Sequence, residues 1–309
     1  MTGTRTQVSE TFRGFFGLSR MTHSVLDVAH PALGAVLVLG GAPRPLTIAL
    51  GLLAAFAGYT AVFALNDLLD RKVDREKIEK CRETRACFDL DSVGRRHPLA
   101  QGSLSFTASL AWVVSWGLLS LVIAYFLNPL CPVFMIGAVG LETLYCRLLR
   151  VTHWKAVLSG LMVAVGGCAG IYAVNPSPPA APLVLFLLWA FAWEVGCRNI
   201  PNDWTDLDED TSLGIRTFPV RYGRGISSRV SFALVCCTAA LSLLFPLVVT
   251  MRYSLIYEVG ALAAGLFLLL APGVRWLRAQ TPESAFALFN RACFYPLTVF
   301  VIAAFLTIV

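Results

Sequence analysis

Nine apolar runs leave this chain little choice of solvent: Val25–Leu39, Leu46–Leu65, Phe106–Leu127, Leu130–Leu144, Ala156–Val174, Pro182–Val195, Val230–Thr250, Leu255–Leu270 and Phe286–Val309. A helix satisfies its own backbone polar groups, so a run of roughly 17–25 apolar residues is stable across a hydrocarbon core. Charged residues are 14% of the chain, against about a quarter in soluble domains. The expected fold class is therefore all-α: a polytopic membrane protein with nine transmembrane helices around a central cavity.

The basic residues orient it. Threading nine spans leaves only Arg44 and Arg252, of 25 Lys and Arg, on one face; the rest gather on the N-terminal tail, the alternate loops and their helix ends. Cytoplasmic loops carry the basic excess, so the N-terminus is expected in the cytoplasm and the C-terminus outside. The net charge of +6 then reports membrane orientation, and no nucleic-acid partner is expected. Residues 1–20 lack the apolar core of a signal peptide and read as a cytoplasmic tail in which Phe12, Phe15, Phe16 and Leu18, with Arg13 and Arg20, form an interfacial helix or stay disordered. The nine cysteines are scattered without a CxxC pair, as befits packing residues rather than metal or redox ligands.

Two acidic stretches interrupt this pattern. "NDLLDRKVD" (Asn66–Asp74) follows the second run and "NDWTDLDED" (Asn202–Asp210) follows the sixth, with Asn66, Asp67, Asp70 and Asp74 matching Asn202, Asp203, Asp206 and Asp210 in spacing. The four intervening spans bring both to the cytoplasmic side, as in an internal repeat. Residues i, i+3 and i+7 share one helix face, so each motif is expected to form a stripe of three carboxylates. Mutual repulsion and desolvation make such a stripe costly at a membrane border, and a hard divalent cation removes both costs. Magnesium takes few carboxylates and completes its shell with phosphate oxygens. Two Mg2+ ions, held by Asp67, Asp70 and Asp74 and by Asp203, Asp206 and Asp210, would clamp a diphosphate.

These motifs resemble the UbiA superfamily of intramembrane prenyltransferases. "NDLLDRKVD" is similar to the family's first motif, NDxxDxxxD, and its "DRK" to the 4-hydroxybenzoate branch. "DLDEDTSLGIRTFPVRYG" (Asp206–Gly223) resembles the second motif with its trailing turn, "RMTHSVLDVAHP" (Arg20–Pro31) the opening of the first helix, and "YCRLLRVTH" (Tyr145–His153) the YxxxKR segment. The resemblance implies a tail, 1–20, and a nine-helix prenyltransferase domain, 21–309, with cytoplasmic cap loops 67–105 and 196–229. It also implies transfer of a polyprenyl group from a polyprenyl diphosphate to an aromatic, quinone-precursor-like acceptor, with diphosphate released. Naphthoate, chlorophyll-type or glycerol-phosphate lipid acceptors stay open, as does a non-enzymatic cation-binding transporter. The expected location is the plasma (inner) membrane, in contact with membrane lipids, with the active site facing the cytoplasm.

Chemistry assigns the remaining roles. Ionisation of an allylic C–O bond needs cationic help at the leaving diphosphate, for which Arg71, Lys72, Arg147, Arg150 and Arg216 are the expected groups, Arg through its fork of donors. Asn66 joins the six aspartates in the catalytic set. Arg20 and His23, which match family positions, and Asn66 and Tyr145 are the acceptor-binding candidates, while Asp27 and His30, deeper in the first span, are expected to bond each other or a neighbouring helix. The sequence departs from the family at Leu149, where YxxxK has its Lys, and at Arg96, His97, Pro98 and Leu99, where N-R-P-L is common. The charged connection from Arg75 to Arg95 is longer than usual, either a cap helix or a solvated excursion.

Overall fold

The computed structural model describes residues 2–80, 90–91 and 97–308, with side chains from residue 10 to residue 306 within those segments. Every regular element among the described residues is helical. In chain order they are α1 (Thr2–Leu18), α2 (Met21–Asp27), α3 (Ala29–Leu39), α4 (Pro45–Lys80), α5 (Phe106–Leu127), α6 (Cys131–Arg147), α7 (Lys155–Val174) and α8 (Ala180–Ala192). A π-helical turn, Trp193–Asn199, leads into α9 (Ile200–Thr205) and α10 (Leu207–Ser212). The chain then runs through α11 (Phe218–Val248), α12 (Ser254–Gly265), a second π turn (Leu266–Leu270), α13 (Ala271–Ala279), α14 (Pro282–Cys293) and α15 (Tyr295–Ile308).

Eight helical runs are long and apolar enough to cross a membrane. The remaining expected span, Leu130–Leu144, falls on α6, whose 17 residues rise about 26 Å, slightly less than a core of about 30 Å. The protein is an integral membrane protein on this count alone.

Helix α4 is the exception in length. Its 36 residues extend about 54 Å, far more than the bilayer core. The apolar run ends at Leu65, but no Gly or Pro occurs between Tyr59 and Lys80, so nothing stops the helix. It carries the first acidic motif outward on continuous backbone, which corrects the expected loop: residues 67–80 are helix. Of the connection that follows, residues 81–89 and 92–96, including Arg96, lie outside the described residues. The tail forms α1, whose end docks through Phe15 on Trp112, 4.6 Å between rings, and through Ser19 Oγ, which accepts from Trp112 Nε1 at 2.9 Å.

Small residues let the helices approach, as is usual where lipid offers no hydrophobic drive for association. A Cβ on Gly170 of α7 would stand 2.3 Å from the carbonyl oxygen of Pro31 on α3. One on Gly196 would meet Leu234 Cβ of α11 at 2.3 Å. Polar atoms inside the bundle find partners: Trp189 Nε1 donates to Ser242 Oγ (2.8 Å), which lies 2.6 Å from Tyr295 Oη, and Trp193 Nε1 donates to the carbonyl of Ala292 (2.9 Å). Without such partners each would cost several kcal/mol in hydrocarbon, on the order of 2–7. An apolar cavity of about 190 Å3 opens between α3, α4, α6, α7 and α15, walled by Pro31, Ala35, Gly51, Ala54, Met135 and Phe300 among others.

Candidate active site

The first motif lies along one face of α4. Asp67 and Asp74 are buried and Asp70 is half-buried between them. His97, in the turn after the undescribed connection, inserts between the outer two: its Nδ1 lies 3.4 Å from Asp67 Oδ1 and 3.0 Å from Asp74 Oδ2. Burial works against the charged imidazole, but the two carboxylates outweigh it and raise the His97 pKa.

The second motif is not a single helical stripe, and here the expectation is corrected. Helix α9 stops at Thr205, Asp206 adopts φ −94° and ψ 5°, and α10 restarts at Leu207. Pro201, which has no N–H for the carbonyl one turn back, and the π turn Trp193–Asn199 mark the start of α9 rather than its end. Tighter bonds close the break itself: Asp206 N donates to Asp203 O at 3.1 Å, and Thr205 Oγ1 to Asn202 O at 2.6 Å. Asp203, Asp206 and Asp210 are nonetheless all buried.

Two lysines tie this arrangement together. Lys77, three residues beyond Asp74 on α4, reaches Asp210 Oδ1 at 3.2 Å and Asp206 Oδ2 at 3.7 Å. The extension of α4 thus faces the second motif directly. Lys155, at the start of α7 and with a side chain 2% exposed, pairs with Asp203 (3.2 Å) and donates to Tyr145 Oη (2.8 Å). Asn199 Nδ2 donates to the same phenol at 3.3 Å. A lysine thus stands beside Tyr145 although position 149 is Leu, whose carbonyl accepts from Arg216 N at 2.9 Å.

The five expected diphosphate cations lie elsewhere. Arg71 stacks over Phe106 at 4.6 Å, Arg150 pairs with Glu76 at 2.6 Å, and the exposed Arg216 donates to Val151 O at 3.1 Å. Lys72 and Arg147 are exposed. Among the described residues no ion pair joins any of these five to a motif carboxylate. Lys72, two residues from Asp70, points off the acidic face, whereas Arg71, four residues after Asp67, stands at the edge of that face and is drawn to Phe106.

The acceptor-side candidates form two groups. Arg20 donates to Asn66 Oδ1 at 3.4 Å and lies over Phe63 at 5.7 Å, while Asn66 Nδ2 donates to Glu142 Oε1 at 2.7 Å. His23 is held by Asp91, Nδ1 to Oδ2 at 2.5 Å, and Asp91 Oδ1 also accepts from Thr22 N at 2.9 Å. Burial pushes the Asp91 pKa up, yet the bonds with His23 and Thr22 leave it lowered overall. The charged connection is thus pinned to α2 at residues 90–91, and is no purely solvated excursion. Deeper in, the Asp27 carboxylate pairs with Arg198 of a neighbouring element (2.9 and 3.0 Å), and His30 Nδ1 lies 2.7 Å from Tyr59 Oη and 3.1 Å from the Asp27 carbonyl oxygen. Arg198 also lies 3.6 Å from Glu194, which accepts from Ser159 Oγ at 2.7 Å.

Lys77, His97, Glu142, Lys155, Glu194 and Arg198 were not in the sequence-derived set. A signal existed for three of them: Glu142 and Glu194 are the lone charged residues of their apolar runs, and Lys155 immediately precedes one. Such placement is costly unless the residue is paired.

The donor set suits a divalent cation. Asp67 Oδ2 is buried with no hydrogen-bond partner, and Asp203 Oδ2 and Asp210 Oδ1 are buried with ion-pair neighbours but no hydrogen bond. Asp67, Asp74 and His97 present ligand atoms within 4.8 Å of one another. Carboxylates from two parts of the chain thus gather at the end of a helical membrane bundle with an apolar interior.

Residues 28–303 match the UbiA prenyltransferase family, and the chain belongs to it. It is 27% identical over 234 residues to the digeranylgeranylglyceryl phosphate synthase of Methanoregula boonei, covering 74% of each chain. It is also 27% identical over 209 residues to the 4-hydroxybenzoate octaprenyltransferase of Hydrogenovibrio crunogenus, covering 66% of this chain and 67% of that one. The fold is shared with a UbiA homologue from Aeropyrum pernix K1, TM-score 0.70 at 15% identity over 91% of this chain and 97% of that one. A UbiA homologue from Archaeoglobus fulgidus bound to GPP and Mg2+ superposes with TM-score 0.66 at 19% identity, covering 94% and 99%.

Proposed function

We propose that this prenyltransferase moves a polyprenyl group from an allylic diphosphate to an aromatic, quinone-precursor-like acceptor, with Mg2+ as cofactor. The observation that carries the reading is the bridge of Lys77 from the first motif's helix to Asp206 and Asp210 of the second, which supports reading the six aspartates as one site. Asp67, Asp70 and Asp74 would hold one ion and Asp203, Asp206 and Asp210 another; bound there, they supply positive charge for the departing diphosphate. Homologues solved with DMAPP or GPP and Mg2+ support this choice.

The chain's own side chains do the rest. Lys155 and Lys77 offer ammonium groups to diphosphate oxygens, a role for which Arg71, Lys72, Arg147, Arg150 and Arg216 are less well placed. Tyr145 orients Lys155 through its phenol. Arg20 holds the acceptor's anionic end, with Asn66 and Glu142 fixing the guanidinium. The apolar cavity suits an isoprenoid tail, and walls without water preserve an allylic cation. A glycerol-phosphate lipid is the second acceptor reading, favoured by the relatives that are digeranylgeranylglyceryl phosphate synthases. We place the site on the cytoplasmic face of the plasma membrane, on nine spans with residues 1–20 inside, from the distribution of Lys and Arg.

The test uses the detergent-solubilised protein with geranyl diphosphate. Diphosphate release that requires Mg2+ and an acceptor, and that disappears in Asp67→Ala and in Asp203→Ala, is the expected result. Release that survives both substitutions would overturn the reading. Running 4-hydroxybenzoate, a naphthoate and a glycerol-phosphate lipid in parallel with one labelled donor assigns the acceptor.

A further inference from the structure

The first motif has a neighbour that the second lacks. Of the four histidines in the chain, His97 alone among the described residues touches a motif carboxylate, and it stands where the family commonly has the Arg of N-R-P-L. The motif on α9 and α10 is met by lysines instead. We propose that His97 is a metal ligand, completing with Asp67 and Asp74 a mixed nitrogen and oxygen site that prefers a borderline divalent cation such as Mn2+ over Mg2+. This inference rests on the reading of the acidic motifs as cation sites and adds a ligand and a metal preference to it.

Geometry is the first support. Asp67 and Asp74 are two turns apart on one face of α4, and His97 Nδ1 lies 3.4 and 3.0 Å from an oxygen of each. Around a small ion with bonds of about 2.1 Å, adjacent ligand atoms stand about 3.0 Å apart in an octahedral shell and about 3.4 Å in a tetrahedral one. Asp67 Oδ2, buried and without a hydrogen-bond partner, marks unused ligand capacity in the same place.

The backbone gives the second support. His97 has φ 48°, in the left-handed region that few residues other than Gly adopt. The turn that holds it there is closed by Gln101 N to His97 O at 3.0 Å and by Ser103, whose N and Oγ both donate to Pro98 O at 2.9 and 2.8 Å. Such a conformation persists where surrounding structure imposes it, and it is common at ligand sites. Here it aims the imidazole at α4.

Ligand chemistry then sets the metal. Mg2+ takes oxygen ligands and dehydrates reluctantly, whereas imidazole suits the first-row divalent ions. One histidine among carboxylates shifts preference toward Mn2+, Co2+ or Zn2+ without excluding Mg2+. The alternative role for His97 is a cation that merely balances two acids.

The experiment uses the full chain in detergent with Mn2+ alone, without donor or acceptor. Pulsed electron paramagnetic resonance of bound Mn2+ is expected to show imidazole 14N coupling, and competition calorimetry a tighter affinity for Mn2+ than for Mg2+. In His97→Ala the coupling disappears and the Mn2+ to Mg2+ affinity ratio falls about tenfold or more. His97→Gln, which keeps an oxygen donor at the position and guards against a folding defect in the Ala variant, still binds a divalent ion but with the preference moved toward Mg2+. Bound Mn2+ without 14N coupling, or a ratio unchanged in both variants, overturns the proposal. Failure of the wild-type protein to bind any divalent ion overturns instead the cation reading of the motifs on which it rests.

Discussion

The two acidic motifs share a spacing and differ in fold. Asn66–Asp74 rides a straight continuation of α4, so Asp67, Asp70 and Asp74 keep the helical register that their spacing dictates. Asn202–Asp210 follows a π turn and Pro201, breaks at Asp206, and reaches its geometry through two six-residue helices. One motif is positioned by helix continuity and the other by interruption. Partners differ accordingly: His97 from a turn serves the first, and the buried Lys155 from α7 serves the second. Equal spacing in sequence therefore does not imply equal local structure.

The sharpest way to break that equivalence is to remove one acid from each. Asp67→Ala and Asp203→Ala should each slow diphosphate release from geranyl diphosphate by about 100-fold or more; a large effect from only one would make the motifs functionally unequal. Next comes the geometry of the interruption. Pro201→Ala restores an N–H to the turn before the motif and re-registers its entry, so donor turnover should fall about tenfold to 100-fold through misplacement of Asp203, Asp206 and Asp210, with helicity by circular dichroism unchanged. If turnover is unaffected, Pro201 is not what sets the second motif.

Partner strength is the following distinction. Lys155→Ala strips Asp203 of its buried partner and should cost about 3–5 kcal/mol of stability. Lys77→Ala, at a side chain 20% exposed, should cost about 1 kcal/mol or less. Unfolding in mixed detergent micelles measures both, and a reversed order would show that the second motif leans on α4 rather than on α7. The smallest effect is expected at the surface. Arg150→Ala and Arg216→Ala should leave the donor KM within about twofold of wild type, whereas a large rise would return these residues to the diphosphate site.

Much of this architecture was legible in the chain. The apolar runs fall on the helices because a backbone in hydrocarbon has one cheap way to satisfy itself, so position along the sequence maps directly onto structure. The acidic repeat was legible because carboxylates at a membrane border are expensive and rarely accidental. The partners were not. Arg71 and Arg150 are close to the motifs in sequence but point to Phe106 and Glu76, while Lys155 and His97 approach from other elements. For Asp27 the spacing left a bond to His30 or to a neighbouring helix open, and its carboxylate pairs with Arg198 from 171 residues away.

What the sequence determined by itself was the solvent, the helical class and the kind of chemistry, since hydropathy, base distribution and motif spacing are properties of the chain read locally. What only the tertiary structure decided was which charges meet: that α4 runs on far enough for Lys77 to face the second motif, that the second motif breaks at Asp206 and still buries its three aspartates, and that Lys155 reaches Asp203 and Tyr145. Pairing of buried charges depends on distances between helices remote in sequence, and those distances are set by packing, by contacts such as Gly170 against Pro31 and Gly196 against Leu234.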